Sequence, residues 1–232
     1  MMFILLFISI IPVVLLGLYI YKKDSVKEPK SLLLGLFSSG FLASFLVIII
    51  NVLMALLTPE FYISDNYNKF NFAMLFFLIF IEIALVEEFC KWIMIRLIGY
   101  NHKDFDQLYD IIVYSTFVAL GFAAIENIFY VIEGGFTLGI YRAIFSVPGH
   151  VAFGVFMGYY LGLAKIWEKK NKTKHNIYMF LSVFVPALLH TIYNFCLMIE
   201  TLWFLIIFIG FIIILYVSAA KEVDKVSKID NF

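Results

Sequence analysis

Eight polar side chains within apolar stretches of the 232-residue chain have types and spacing suited to chemistry, while Glu82, in the same run as the first three, is given no role. The eight are Glu87, Glu88 and Lys91 in LVEEFCKW, Glu126 and Asn127 in GFAAIENIFY, His150 in VPGHVAFGVFMGYYLG, and His190 and Asn194 in PALLHTIYNF. An ionisable group at a bilayer centre costs at least about 2.5 to 3.5 kcal/mol, so groups kept there mark a functional site by default. Together, carboxylates, imidazoles and an amide support hydrolysis by activated water. One carboxylate takes the proton, and amide and imidazole donors steady the developing oxyanion.

Helical spacing sorts these groups. Glu87 and Lys91 are four residues apart and are expected to pair on one face, with Glu88 about 100° away and free of that pair. His190 and Asn194 share a face one turn apart. His150, Gly154, Gly158 and Gly162 recur every fourth residue, forming a seam suited to close helix contact, and Gly121, Ala123 and Ala124 offer another. Pro148 removes a backbone donor just before His150.

Other hydrolytic chemistries fit less well. No HExxH zinc motif is present, Asp110 is the only aspartate near a span interior, and Pro148 interrupts a Ser146–His150 pair. No cofactor is expected, although Glu87, Glu88, His150 and His190 are compatible with zinc, which stays open as an alternative.

The elements that must position these groups are membrane helices. The chain is 63% hydrophobic and 19% aromatic, with a mean hydropathy of +0.98 and no net charge, far more apolar than a soluble domain. Nothing suggests nucleic-acid binding. Runs long enough to span occupy roughly 2–21, 31–57, 72–98, 108–132, 142–166, 177–199 and 201–220. The expected fold is all-α, a polytopic membrane protein of about seven transmembrane helices in a single domain (1–232), with the catalytic core over about 72–199. No basic residue precedes Lys22, so the first run reads as a retained helix and not as a signal peptide. Cys90 and Cys196 sit in apolar runs and read as small hydrophobes.

Basic residues set the orientation. Lys22, Lys23, Lys27, Lys30, Arg96, Lys103, the lysines from 165 to 174, Lys221, Lys225 and Lys228 fall in alternate loops, against Lys69 and Arg142 in the opposite ones. The N-terminus is therefore expected outside and the C-terminus in the cytoplasm. The aromatic outer loop Thr58–Asn71 reads as a headgroup-level anchor.

At 1.5 Å per residue, Glu126, His150, His190 and Asn194 fall about 8 to 14 Å from the outer ends of their spans, and Glu87 about 22 Å. Straight helices would leave Glu87 below the rest. Tilt or a wet cleft has to close that gap.

EEFCKW, then FAAIEN, then the histidine–glycine span of His150, then HTIYN, on successive spans, resemble the PrsW family of intramembrane proteases, part of the superfamily that includes the prenyl-protein (CAAX) proteases. The likeness runs from KEPKSLLL through all four motif helices. It implies a glutamic-type peptidase of the bacterial cell membrane that makes the first, extracytoplasmic-side cut in a single-span anti-sigma factor. Glu87 and Glu88 match the essential glutamate pair, Lys91 the basic residue after it, and Glu126 with Asn127 the second motif. His150, His190 and Asn194 match the remaining polar positions. The prenyl-protein proteases carry histidine where Glu126 stands, which leaves Glu126 either aiding water activation or structuring the pocket.

Three further readings compete: a zinc-dependent or CAAX-like membrane protease, a proton-coupled transporter or channel built on the Glu–His chain, and a scaffold that binds a partner helix along the glycine seam. Neither the identity of the substrate nor the oligomeric state is legible.

Overall fold

The structure, a computed structural model, describes residues 2–59 and 69–228. Most of the expected headgroup anchor, including Asp65, Asn66 and Asn68, lies outside the described residues. Among the described residues the chain is helical and contains no strand.

The helices are α1 (Met2–Lys23), α2 (Lys30–Leu57), α3 (Phe72–Leu78), α4 (Leu85–Ile98), α5 (Leu108–Tyr141), α6 (Val147–Trp167), α7 (Lys172–Met198) and α8 (Leu202–Val226). Two π-helical turns, Ile79–Ala84 and Arg142–Ser146, join α3 to α4 and α5 to α6. Local chemistry fixes several starts. The Asn71 and Asn171 side chains cap α3 and α7 by accepting from the backbone N–H groups of Met74 and Lys174, and Gln107 with Asp110 forms a capping box at α5.

Among the described residues, five helical stretches are long and apolar enough to cross a membrane: 5–23, 30–57, 108–167, 172–198 and 202–226. The third runs for 60 residues, about 90 Å of helix at 1.5 Å per residue, so it must double back. It does so at Gly135, whose φ of 74° is the one non-helical conformation inside α5. The sequence pattern places a loop between 132 and 142. Here those residues stay helical on either side of Gly135, because glycine adopts a positive φ without steric cost.

α5 is the central element, packed against α1, α2, α4 and α6. The expected glycine seam of α6 is used within the chain. A Cβ on Gly154 would lie 3.0 Å from that of Ala119, and one on Gly158 2.6 Å from the Cα of Ile112. The scaffold reading therefore loses its docking surface, since α5 already fills the seam. On the opposite side of α5, Gly121 meets Gly40 of α2 so closely that a Cβ on Gly40 would sit 2.6 Å from the backbone nitrogen of Phe122.

Candidate active site

Each π turn ends just before a site residue. Ile79–Ala84 leads into α4 with Glu87 and Glu88 in its first turn, and Arg142–Ser146 leads into α6 with His150. The second turn has a local cause, because Pro148 has no N–H with which to continue the α-helical ladder. π turns of this kind recur at functional sites.

Side chains from three helices, α4, α6 and α7, meet here. One ligand-capable atom each from Glu87, Glu88, His150 and His190 lies within 4.8 Å of the others, and all four residues are buried. The depth gap expected for Glu87 does not keep it apart, since it meets Glu88, His150 and His190 within that distance.

Lys91 departs from expectation. Its Nζ lies 2.7 Å from Glu88 Oε1 and 3.6 Å from Glu87 Oε2, so Glu88 is the closer partner and is not left out of the pair. Residues at i,i+3 are helical neighbours just as those at i,i+4 are. Lys91 also donates to His150 Nδ1 at 3.0 Å and sits 4.0 Å from the centroid of the Phe122 ring. Its desolvated ammonium is thus held by a carboxylate, an imidazole lone pair and a π face.

With Nδ1 accepting, His150 donates its Nε2 proton to Glu126 Oε2 at 2.7 Å. The same oxygen is ion-paired with Arg142 Nη2 at 3.0 Å. Arg142 Nε donates to Asn127 Oδ1, while Asn127 Nδ2 donates to the Ser9 carbonyl of α1. Asn127 therefore braces α5 against α1 and stands outside the acid–imidazole cluster.

His190 Nδ1 donates to Glu88 Oε1 at 3.1 Å. Phe153 stacks on its ring, with centroids 4.8 Å apart at 21°. The two histidine rings meet edge to face at 5.4 Å.

The two glutamates have different surroundings. Glu88 is fully enclosed, with Oε1 bonded to Lys91 and His190. Glu87 lines a cavity of about 740 Å³, and its buried Oε2 has no hydrogen-bond partner. Glu126, Arg142, His150, His190 and Asn194 share that cavity, whose other walls include Tyr130, Phe145, Tyr193 and Phe208. Asn194, half-buried, lies on the wall and not in the four-residue cluster.

Sequence reasoning did not place Arg142, Phe122 or Phe153 in the site. Arg142 reads as an outer-loop charge, although the Gly134–Gly135 pair before it is a turn signal that could have returned it toward Glu126. Phe122 and Phe153 are indistinguishable from core aromatics until the fold sets them against Lys91 and His190.

A family model described as "PrsW family intramembrane metalloprotease" matches residues 28–219. A protein named Protease PrsW from Oceanobacillus iheyensis is 37% identical over 223 residues, covering 95% of this chain and 94% of its own length. Relatives of the same name from Clostridioides difficile and Bacillus subtilis are 35% and 34% identical, over 95% and 87% of this chain and 90% and 86% of theirs. No solved structure matches significantly. Spanning helices and a buried acid–imidazole site, taken with these matches, define a multi-pass membrane protein of an intramembrane protease type. The chain belongs to the PrsW family.

The family's description implies a metal. The donor set fits one, being two carboxylates and two imidazoles close together, with buried oxygens of Glu87 and Glu88 lacking hydrogen-bond partners. Lys91 already bonds two of the same four groups, Glu88 and His150.

Proposed function

We propose that this protein is a membrane-embedded peptidase that hydrolyses a peptide bond of a single-span membrane protein with water activated at Glu87. The observation that carries the reading is that Glu87 lines the cavity, with its Oε2 3.6 Å from Lys91 Nζ and in no hydrogen bond among the described residues, whereas Glu88 does not line it and is tied through Oε1 to Lys91 and His190.

Water in the cavity gives a proton to Glu87 while its oxygen adds to the substrate carbonyl carbon. The oxyanion forms within reach of Asn194 on the cavity wall, whose amide N–H groups suit that charge. His190 spends its Nδ1 proton on Glu88, so it adds a second donor at Nε2 only when protonated. The C–N bond then breaks, and Glu87 returns its proton to the leaving amine. Lys91 neutralises Glu88, keeping two adjacent acids from both carrying unbalanced charge. Glu126, held by Arg142, fixes the His150 tautomer whose Nδ1 accepts from Lys91.

The wider assignment rests on the family likeness and the lysine distribution. The protein crosses a bacterial plasma membrane seven times, with 108–167 crossing twice and 72–98 once, its N-terminus outside and its C-terminus in the cytoplasm. Its substrate is an anti-sigma factor cut near the outer face, which begins release of a sigma factor in a stress response.

A metal-dependent variant of this reading is favoured by the four clustered donors. Glu87, Glu88, His150 and His190 would hold a divalent ion, which would supply Lewis-acid polarisation of water or carbonyl. We favour the glutamic type because the Lys91 ammonium already supplies a positive charge to the same donors. Purified protein with a single-span substrate in detergent tests both. Glu87→Gln is expected to lower cleavage by at least about 100-fold with the thermal midpoint little changed, and wild-type activity is expected to survive chelation with no stoichiometric metal present. Full cleavage by Glu87→Gln would reject the role of Glu87, and activity restored only by added metal would select the metal variant. Proteoliposomes that conduct protons and cleave nothing would select the transporter.

A further inference from the structure

α1 and α2 are joined by only the six residues from Asp24 to Pro29, yet they pack on α5 and hardly on each other. Between them runs a groove of about 520 Å³, floored by Phe117, Leu120, Ala124 and Ile128 of α5 and walled by residues such as Val14, Leu18, Leu34 and Phe37. Its lining is apolar apart from Lys30 and the phenol of Tyr21 at the end where the connecting loop lies.

Neither wall is free to close the groove. α1 is fastened to α5 near both ends, by Tyr109 Oη donating to the Ile20 carbonyl at 3.0 Å and by Asn127 Nδ2 donating to the Ser9 carbonyl at 3.2 Å. α2 is fixed by the Gly40–Gly121 contact, where the backbones already touch. A dry gap would deprive its walls of packing partners, so in a bilayer the groove has to be filled. A spanning helix about 10 to 12 Å across and 30 Å long would need roughly 2,000 Å³ or more. The groove fits a flexible hydrocarbon chain.

We propose that this groove is a binding site for an anionic phospholipid, with one acyl chain laid along Phe37, Phe117 and Leu120 and the phosphate at Lys30. Charge selects the headgroup. Lys30 is exposed, lines the groove, and makes no ion pair among the described residues. Of the lysines nearby, Lys23 is engaged with Asp224 at 2.5 Å and Lys27 with the backbone carbonyls of Tyr21 and Lys22. Lys30 is the lysine that lines the groove, at its mouth. Gly17 lines the groove, and a Cβ there would meet only Leu120 Cδ1, at 3.4 Å, so a larger side chain at this position can enter the groove without displacing the backbone.

Native mass spectrometry of the full chain tests this, with phosphatidylglycerol and phosphatidylcholine of identical acyl chains supplied in equal amounts. One phosphatidylglycerol should be retained about fivefold over phosphatidylcholine. Lys30→Gln should remove the preference, Gly17→Leu should lower retention of both lipids, and Lys169→Gln should change neither. Phosphatidylglycerol with a photoreactive acyl chain should label Phe117 and Leu120. Equal retention of the two lipids, a preference unchanged in Lys30→Gln, or labelling spread evenly over the outer helices would overturn the proposal. So would a crosslinker at Leu34 that captures another copy of this chain or another protein's helix. Peptidase activity is not read in this experiment.

Discussion

Arg142 Nη2 and Glu126 Oε2 stand 3.0 Å apart, and that oxygen also accepts from His150 Nε2 at 2.7 Å. Two residues flanking the Gly135 bend thus hold an imidazole that belongs to the following helix. Arg142 is a positioning residue acting through Glu126. Arg142→Gln is expected to lower kcat by about 10- to 100-fold with little change in KM, and Arg142→Lys to recover part of the loss. In the variant, imidazole ¹⁵N shifts should show His150 as a tautomer mixture in place of one form. A KM effect alone, with unchanged shifts, would place Arg142 in substrate binding instead.

Lys91 is almost wholly enclosed with Glu88. Removing the cation leaves a buried carboxylate without its counter-charge, a change that typically costs about 3 to 5 kcal/mol. Lys91→Met should lower the unfolding midpoint in detergent sharply. Glu88→Gln combined with Lys91→Met should recover much of that loss, because the carboxylate nearest the lysine is then removed together with its counter-charge. A double variant as unstable as the single one would show that Lys91 acts through packing on Phe122.

The α5–α6 seam admits no added side chain at Gly158, where a Cβ would lie 2.6 Å from the Cα of Ile112. Gly158→Ala is expected to destabilise by about 1 to 3 kcal/mol and to reduce cleavage by moving His150. Gly210 in α8 has nothing within 4 Å of its Cβ position. Gly210→Ala should therefore be neutral or stabilise by up to about 1 kcal/mol, with activity kept. Paired thermal melts of the two variants check the contrast.

In the α1–α2 loop, burial raises Glu28 from 4.5 to about 8, opposed by a hydrogen bond from Tyr114 Oη at 2.8 Å and reinforced by the neighbouring Asp110 and Asp24. The folded state then holds a proton that the unfolded chain releases at lower pH. The stability that Glu28 contributes is fully present below about pH 4.5, falls as pH rises between the two values, and is lost above about 8. Within that window, melting midpoints should decline with rising pH, and Glu28→Gln, which keeps an acceptor for Tyr114, should flatten the decline. An unchanged slope in the variant would assign the effect to another group.

The sequence by itself determined the helical class, most helix boundaries and the polar residues to examine. The reasons are local: apolar runs of spanning length, Asn caps, and ionisable groups too costly to keep in hydrocarbon without use. The gap expected between the runs 177–199 and 201–220 falls where α7 ends at Met198 and α8 begins at Leu202. Convergence was not local. Whether Glu87, Glu88, His150 and His190 meet depends on two π turns and on the approach of α4, α5, α6 and α7, which no spacing within one helix encodes. Spacing points to a Glu87–Lys91 pair that leaves Glu88 out, whereas in the bundle Lys91, also in contact with His150 and Phe122, lies closer to Glu88. Arg142 reached Glu126 only because Gly135 turns the chain, and α1 and α2 leave a groove only because both are pinned to α5. Periodicity reports which face of a helix is polar, whereas the identity of the opposing face is a property of the assembled bundle.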